Sequence, residues 1–398
     1  MKLLELPPGI GIGRRRHRAC SHDLAIVNYD EASEVLLVMD AGVCAEDDYC
    51  PSTIDEMNGV LLVLGDGRYP LTKELGHGAF GEVFEGRDTH LDMPVAVKLF
   101  REGVTFDAIF AEARVQARLS DNPHVIAVRN VIVEPPRPYV VMDLCPAGSV
   151  RDRLKAGTVT LVDAIRWTRG ALLGLAHAHA LGVIHRDVKP ANWLLLDNGA
   201  RAAISDFGLA EDTVRRILVD PDIYVPHQAP EVPVEGTSEA SDIWAAGCTL
   251  YRLLTGKYPF KDEYEAAAGS FLAPHRLNLQ VPMSVSRVIE QGLKVRPGDR
   301  YPDAVSMLSA LNGCRVTTSW TKVEDLDTIE TWTASAPGAD YRIELVLRPK
   351  VGLELTARKD VRSGAGFMRA RQDRPPTLAR ARQVLHRWLV DVVEGQRL

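Results

Sequence analysis

Residues 183–197 read VIHRDVKPANWLLLD and set His185, Arg186, Asp187, Lys189 and Asn192 between two apolar runs. Such groups enter apolar surroundings only when each is paired or has chemical work to do. A surface turn between two short strands is the plain alternative. Upstream, LGHGAFGEVFEG (75–86) carries Gly76, Gly78 and Gly81. The following EVFEG and PVAVKLF are strand-like, whereas a dinucleotide-binding fingerprint needs a helix there. The glycines therefore belong to a β-hairpin tip, where the missing Cβ lets backbone N–H groups approach phosphate oxygens. Lys98 ends the strand VAVK. A lone strand lysine is ordinarily solvated, but Glu112 lies on the helical stretch that follows, on a turn facing back. A Lys–Glu pair there holds an ammonium where it can clamp phosphates. In SDFGLA, Asp206 is by itself a turn residue. With Asn192 it offers two hard oxygen ligands, enough for a dication that takes its remaining ligands from phosphates and water.

These residues need a scaffold. The chain has 398 residues, 46% of them hydrophobic, which leaves room for two or three domains and a sizeable core. A net charge of −6 argues against nucleic acid as the main partner of the whole chain. The longest apolar runs, 35–39 and 60–64, are too short to span a bilayer, and the basic residues at 14–18 precede no apolar stretch. Six scattered cysteines suit a reducing compartment, so a cytoplasmic location without membrane contact is expected. His17, Cys20, His22, Cys44 and Cys50 have no tight metal-ligand spacing and are read as scattered thiols and surface histidines rather than a zinc site.

Residues 1–66 give strand-like runs at 34–39 and 59–64 and are expected to form a small, β-rich appendage. From Tyr69 to about residue 143 strands dominate, interrupted by FDAIFAEARVQARL (106–119), whose Phe106, Ile109, Phe110, Ala113 and Ala117 fall at helical spacing. Beyond Gly148, the stretches 161–181, 241–255 and 285–311 carry the helical period. Strands followed by helices predict two lobes, an α+β arrangement. After Gly313, RVTTSWTKV, ETWTASA, YRIELVLRP and GLELTARKDV are strand-like. A closing helix is predicted from an N-cap at Thr377, giving a strand-rich domain over 314–398.

Residues 69 to 312 resemble the eukaryotic-type (Hanks-type) Ser/Thr protein kinase family. The resemblance rests on GHGAFGEV, VAVK, the helix glutamate, HRDVKPAN, DFG, APE (229–231), SDIWAAG (241–247) and GDR (298–300), in family order and at family-like spacing. It implies a bilobal kinase-like fold over 67–313, with a β-rich N-lobe (67–142) and a helical C-lobe (146–313). It implies transfer of the ATP γ-phosphate to protein hydroxyls, with Mg²⁺ and autophosphorylation expected. Asp187 resembles the carboxylate that accepts the substrate proton, and Lys189 the cation that neutralises the moving phosphoryl group. Lys98 would contact the α- and β-phosphates and pair with Glu112, while Asn192 and Asp206 would hold Mg²⁺. Leu75, Gly76, Gly78 and Gly81 would cover the nucleotide, and Val83, Ala96 and Leu194 would sandwich adenine. Met142 resembles the gatekeeper, with the backbone of Asp143 and Cys145 reaching the ring. Asp242 and the Glu231–Arg300 pair resemble buried scaffold contacts.

Two departures stand out. Trp193 replaces a small aliphatic residue and is expected to repack the floor under adenine. The family's Gly-Thr pair before APE is missing from IYVPHQAPE, with Val225 about where the threonine would stand. Thr213 is the candidate phosphosite and Arg186 its candidate partner, with Asp220 and Asp222 as the alternative, permanent charges. A nucleotide-binding pseudokinase-like scaffold is the alternative reading, and a kinase with a small-molecule acceptor the third. Residues 359–398 hold nine Lys/Arg against four acids. That excess suits a nucleic-acid or acidic-partner surface, or simply a solvated helix rim.

Overall fold

The computed structural model describes residues 25–28, 37–39, 60–78, 81–101, 106–133, 137–207, 225–336, 338–349, 351–360 and 368–396. The five histidines and cysteines weighed as a zinc site lie outside them, as do Thr213, Asp220 and Asp222. The chain divides into two compact units, residues 1–104 with 130–144, and residues 105–129 with 145–398. The architecture is α+β.

In the first unit, β1 (Ala25–Asn28) pairs with β2 (Leu37–Met39) as a separate two-stranded ladder. The main sheet contains β3 (Leu62–Leu64), β4 (Tyr69–Gly78), β5 (Gly81–Asp88), β6 (Met93–Phe100), β7 (Val128–Ile132) and β8 (Tyr139–Asp143). Its order is β3-β4-β5-β6-β8-β7. β3 hydrogen-bonds to β4, so this sheet begins upstream of residue 67, where the sequence suggests a boundary. Leu62, Leu64, Leu71, Val95, Val97, Leu99, Tyr139 and Val141 close one buried cluster. Alternation explains it: Val95, Val97 and Leu99 share one face of β6, leaving Ala96 and Lys98 on the other. At Gly81 a Cβ would run into the backbone oxygen of Leu99, so only glycine lets β5 approach β6 there.

The second unit holds α1 (Phe106–Leu119), α2 (Val150–Lys155), α3 (Leu161–Ala180), α4 (Val232–Glu235), α5 (Glu239–Thr255), α6 (Glu263–Ala268), α7 (Pro274–Leu277), α8 (Met283–Gly292) and α9 (Ala304–Asn312). The two-stranded ladder β9 (Trp193–Leu196) and β10 (Arg201–Ile204) lies among them. Thr160 caps α3 through the Asp163 N–H, and Ser238 closes a capping box with Ser241 on α5. Helical period was expected throughout 285–311. The helix instead stops at Gly292 and resumes at Ala304, because Pro297 and its flanking turn cannot continue it.

The C-terminal stretch forms a five-stranded antiparallel meander of β11 (Thr321–Val323), β12 (Glu330–Ala336), β13 (Ala339–Arg348), β14 (Gly352–Asp360) and β15 (Met368–Asp373). It is followed by α10 (Leu378–Val393), capped by Thr377. Strand structure expected over 315–323 is confined to Thr321–Val323, since Thr317, Thr318 and Trp320 bond irregularly to Val393, Ser335 and Gln280. β15 was not anticipated, because its sequence MRARQD lacks apolar alternation. The sheet and α10 do not hold a separate core. Trp320, Ile343, Leu345, Leu385 and Leu389 belong to the same buried cluster as Trp244, Ile289 and Leu311. Gln280 seals the join: its amide donates to Trp320 O at 3.1 Å and its carbonyl accepts from Trp320 N at 2.8 Å.

Candidate active site

The loop 183–192 is built on Asp242, which α5 presents inside the core. Its Oδ2 accepts from His185 N at 2.8 Å and bonds His179 Nε2 at 2.9 Å, and its Oδ1 accepts from Arg186 N at 2.8 Å. Those bonds fix an unfavourable backbone, since Arg186 has φ +72°, a left-handed conformation worth about 1–3 kcal/mol of strain. His185 is fully buried, bonds Ser205 O at 3.0 Å, and lies 4.6 Å from the Phe207 ring. The loop is thus held from below by a carboxylate, a histidine and an aromatic ring.

Above this base, Asp187 is surrounded by donors. Lys189 Nζ lies 2.6 Å from Oδ2. Asn192 Nδ2 donates to Oδ2 at 3.1 Å and to the Asp187 carbonyl at 2.9 Å. His227 Nε2 reaches Oδ1 at 3.2 Å. Burial alone would push this carboxyl up, but the hydrogen bond from His227 and the charge of Lys189 outweigh it and hold the group well below the usual carboxylate range. Asp187 is a carboxylate at neutral pH.

Asn192 has its amide nitrogen committed, which turns its carbonyl oxygen into the atom it has to lend. Its main-chain oxygen accepts from Ser205 N at 3.0 Å, tying the Asp206 segment to the loop. Asp206, with φ +63°, departs from the β10 direction between buried Ser205 and fully buried Phe207. An amide carbonyl and a carboxylate on two bonded segments are a fitting donor pair for a hard dication. Among the described residues, no group of three or more His, Cys, Asp or Glu side chains forms a denser metal cluster.

On the first unit, strand register gathers the other predicted residues. Gly76 pairs with Val83, Val83 with Lys98, and Ala96 with Met142. Register partners share a face and so do residues two apart, so Val83, Ala96, Lys98 and Met142 line one face of the sheet. Lys98 is buried there, its Nζ 5.4 Å from the Phe100 ring centroid. Gly78 closes the β4–β5 hairpin opposite Gly81, Leu75 is exposed, and Asp143 ends β8. Glu112 sits in α1, and half-buried Cys145 follows β8.

Two findings amend the sequence reading. Trp193 is fully buried in the helical core, while Leu194, one residue on, faces the other side of β9. Period-two alternation therefore puts the ring away from the face of Leu194, and the expected repacking beneath adenine does not follow. His227 was missed as a partner of Asp187. The signal was present in the altered IYVPHQAPE, but a contact 40 residues apart in sequence cannot be read from spacing.

A carboxylate on a strained loop, flanked by Lys189 and Asn192 and tied to the Asp206–Phe207 segment, defines a protein kinase, and the chain belongs to that family. The model of the protein kinase domain matches residues 69–302. Its relatives specify the class as protein-serine/threonine kinase. Serine/threonine-protein kinase PknL of Mycobacterium tuberculosis is 30% identical over 275 residues, 64% of this chain and 67% of that protein. Serine/threonine-protein kinase PkaB of Streptomyces coelicolor is 37% identical over 233 residues, 54% of each chain. Serine/threonine-protein kinase PknB of Mycolicibacterium smegmatis is 32% identical over 266 residues, 61% of this chain and 42% of that protein.

Proposed function

We propose that this kinase transfers the γ-phosphate of ATP, with Mg²⁺, to serine or threonine hydroxyls of proteins, itself included. The observation that carries the reading is the ionised Asp187 carboxylate held between Lys189 and Asn192. Asp187 orients the acceptor hydroxyl and takes its proton. Lys189 offsets charge on the phosphoryl group in flight, and the fixed loop removes the need to reorganise at that moment. Asn192 and Asp206 are the residues to hold Mg²⁺, which when bound supplies neutralisation of phosphate charge. Lys98 is assigned to the α- and β-phosphates, with Glu112 proposed as its partner. Leu75, Gly76, Gly78 and Gly81 are assigned to covering the nucleotide. Val83, Ala96, Met142, Leu194 and the backbone of Asp143 and Cys145 are assigned to adenine. At Gly76 a Cβ would meet no atom within 4 Å, so packing does not demand glycine there, whereas close approach of a phosphate to the backbone would. Thr213 remains the proposed phosphosite.

Labelled ATP with a generic protein acceptor tests the reading. Wild type should transfer label and Asp187→Ala should not; indistinguishable signals would end it. The scaffold alternative draws on His227, which engages an oxygen of the catalytic carboxylate. Saturable Mg-ATP binding without any transfer would favour it.

For the C-terminal domain we favour a solvated rim over a nucleic-acid surface. Arg382 pairs at 3.0 Å with Glu330, an acid outside 359–398, so part of the apparent excess charge is already neutralised. A band shift with DNA or RNA at low salt would reverse that choice. Among the described residues, no helix is long and apolar enough to cross a membrane. Placement in the cytoplasm rests on the scattered cysteines.

A further inference from the structure

Asp187 has two carboxylate oxygens, and their surroundings differ. Oδ2 is shared by Lys189 and Asn192, both on the same loop. The described donor to Oδ1 is His227 Nε2, which arrives from the segment before APE at 3.2 Å. Rotation of a carboxylate about its Cβ–Cγ bond is soft, because such sp³–sp² torsions have broad wells. Donors on both oxygens are what fix the plane. His227 is itself well held: it is buried, and its ring lies 6.5 Å from that of Tyr258, tilted by 33°. Tyr258 in turn lies beneath the Arg252 guanidinium, 4.3 Å from the ring centroid. The imidazole therefore has a ring neighbour in addition to Asp187.

Resting on the activity proposed above, we propose that His227 is a positioning residue for phosphoryl transfer. Its Nε2–H sets the plane of the Asp187 carboxylate and so aims the oxygen that receives the acceptor hydroxyl proton. The imidazole moves no proton in this role and touches no phosphate. Its whole effect passes through the orientation of Asp187, so it belongs to kcat rather than to nucleotide affinity. A misaimed general base a fraction of an ångström from its productive geometry loses rate steeply.

The full chain carries the test, with two variants of opposite chemistry. His227→Phe keeps a ring against Tyr258 and removes the donor. His227→Gln keeps an N–H at nearly the reach of Nε2 and removes the ring. With Mg-ATP and a fixed protein acceptor, His227→Phe should lose about 10- to 100-fold in kcat, with KM for ATP within about twofold of wild type. His227→Gln should recover to within about fivefold of wild type. The same two proteins, followed by thermal unfolding, should melt together. A His227→Phe enzyme with full kcat overturns the proposal. So does a glutamine variant as slow as the phenylalanine one, or a loss confined to KM. The contact is also readable without turnover: the ¹⁵N signals of the His227 ring should move in Asp187→Asn, and unmoved signals overturn it. A wild type without Asp187-dependent transfer removes the activity and the positioning role together. Transfer that persists unchanged in His227→Phe removes the positioning role alone.

Discussion

The catalytic loop and the open face of the C-terminal sheet use the same kinds of charged side chain at nearly the same separations, with different consequences. In the loop, Lys189 and Asp187 are 2.6 Å apart. On the sheet, Arg342 meets Glu344 at 2.8 Å, and Arg348 meets Glu354 at 3.0 Å. Arg342, Glu344 and Arg348 share one face of β13 with Glu354 of β14, where the arginines reach water and each charge has a local partner of opposite sign. Such pairs contribute little to stability. The loop pair sits over Asp242, His185 and Phe207, on a backbone that would not hold its shape alone. Distance between charges says little about their role; what lies beneath them decides it. A third pair completes the contrast. Arg300 and Glu231 meet in two bonds of 2.7 Å with the guanidinium fully buried, and Arg300 also donates to the carbonyls of Ala240, Lys294 and Val295. That pair is closed on every side, and so is structural.

The comparison predicts a graded set of responses. Glu231→Gln should destabilise the protein most, by about 3–5 kcal/mol, because it strands a buried guanidinium. Urea unfolding reads this, and a loss under about 1 kcal/mol would remove the distinction between buried and exposed pairs. Lys189→Ala should lower kcat by about 100- to 1000-fold, the scale of losing one electrostatic stabiliser, while unfolding stays near wild type. Equal damage to stability would make the loop pair structural too. Gln280→Ala should cost about 2–3 kcal/mol, since it leaves the Trp320 N–H and carbonyl without their buried partner. If instead the C-terminal sheet melted separately, the shared core would be disproved. Arg348→Ala should change stability by less than about 1 kcal/mol and leave transfer rates intact. A larger effect on rate would assign the sheet face a role in catalysis that its solvated pairs do not suggest.

How much of this was legible beforehand follows from the range of each interaction. The loop, the glycine hairpin and α1 are local patterns, so VIHRDVKPAN, GHGAFG and the 106–119 period point to their elements directly. Asp242 and the Glu231–Arg300 pair were legible only through resemblance, because their partners lie 56 to 69 residues away. The His227 contact could not be read from spacing, since the histidine stands 40 residues from Asp187. Trp193 was misread by treating its size as decisive, when strand alternation had already turned it toward the core. The charge count of 359–398 is limited by its window. Arg382 has its acid, Glu330, in β12, outside the window counted.

The most direct measurement of the central claim is intact-mass analysis of the full chain after incubation with Mg-ATP, wild type beside Asp187→Asn, followed by peptide mapping. The account predicts that wild type gains whole phosphates on serine or threonine and that Asp187→Asn gains none. Equal gain in both proteins would show that this carboxylate is not the one that does the chemistry.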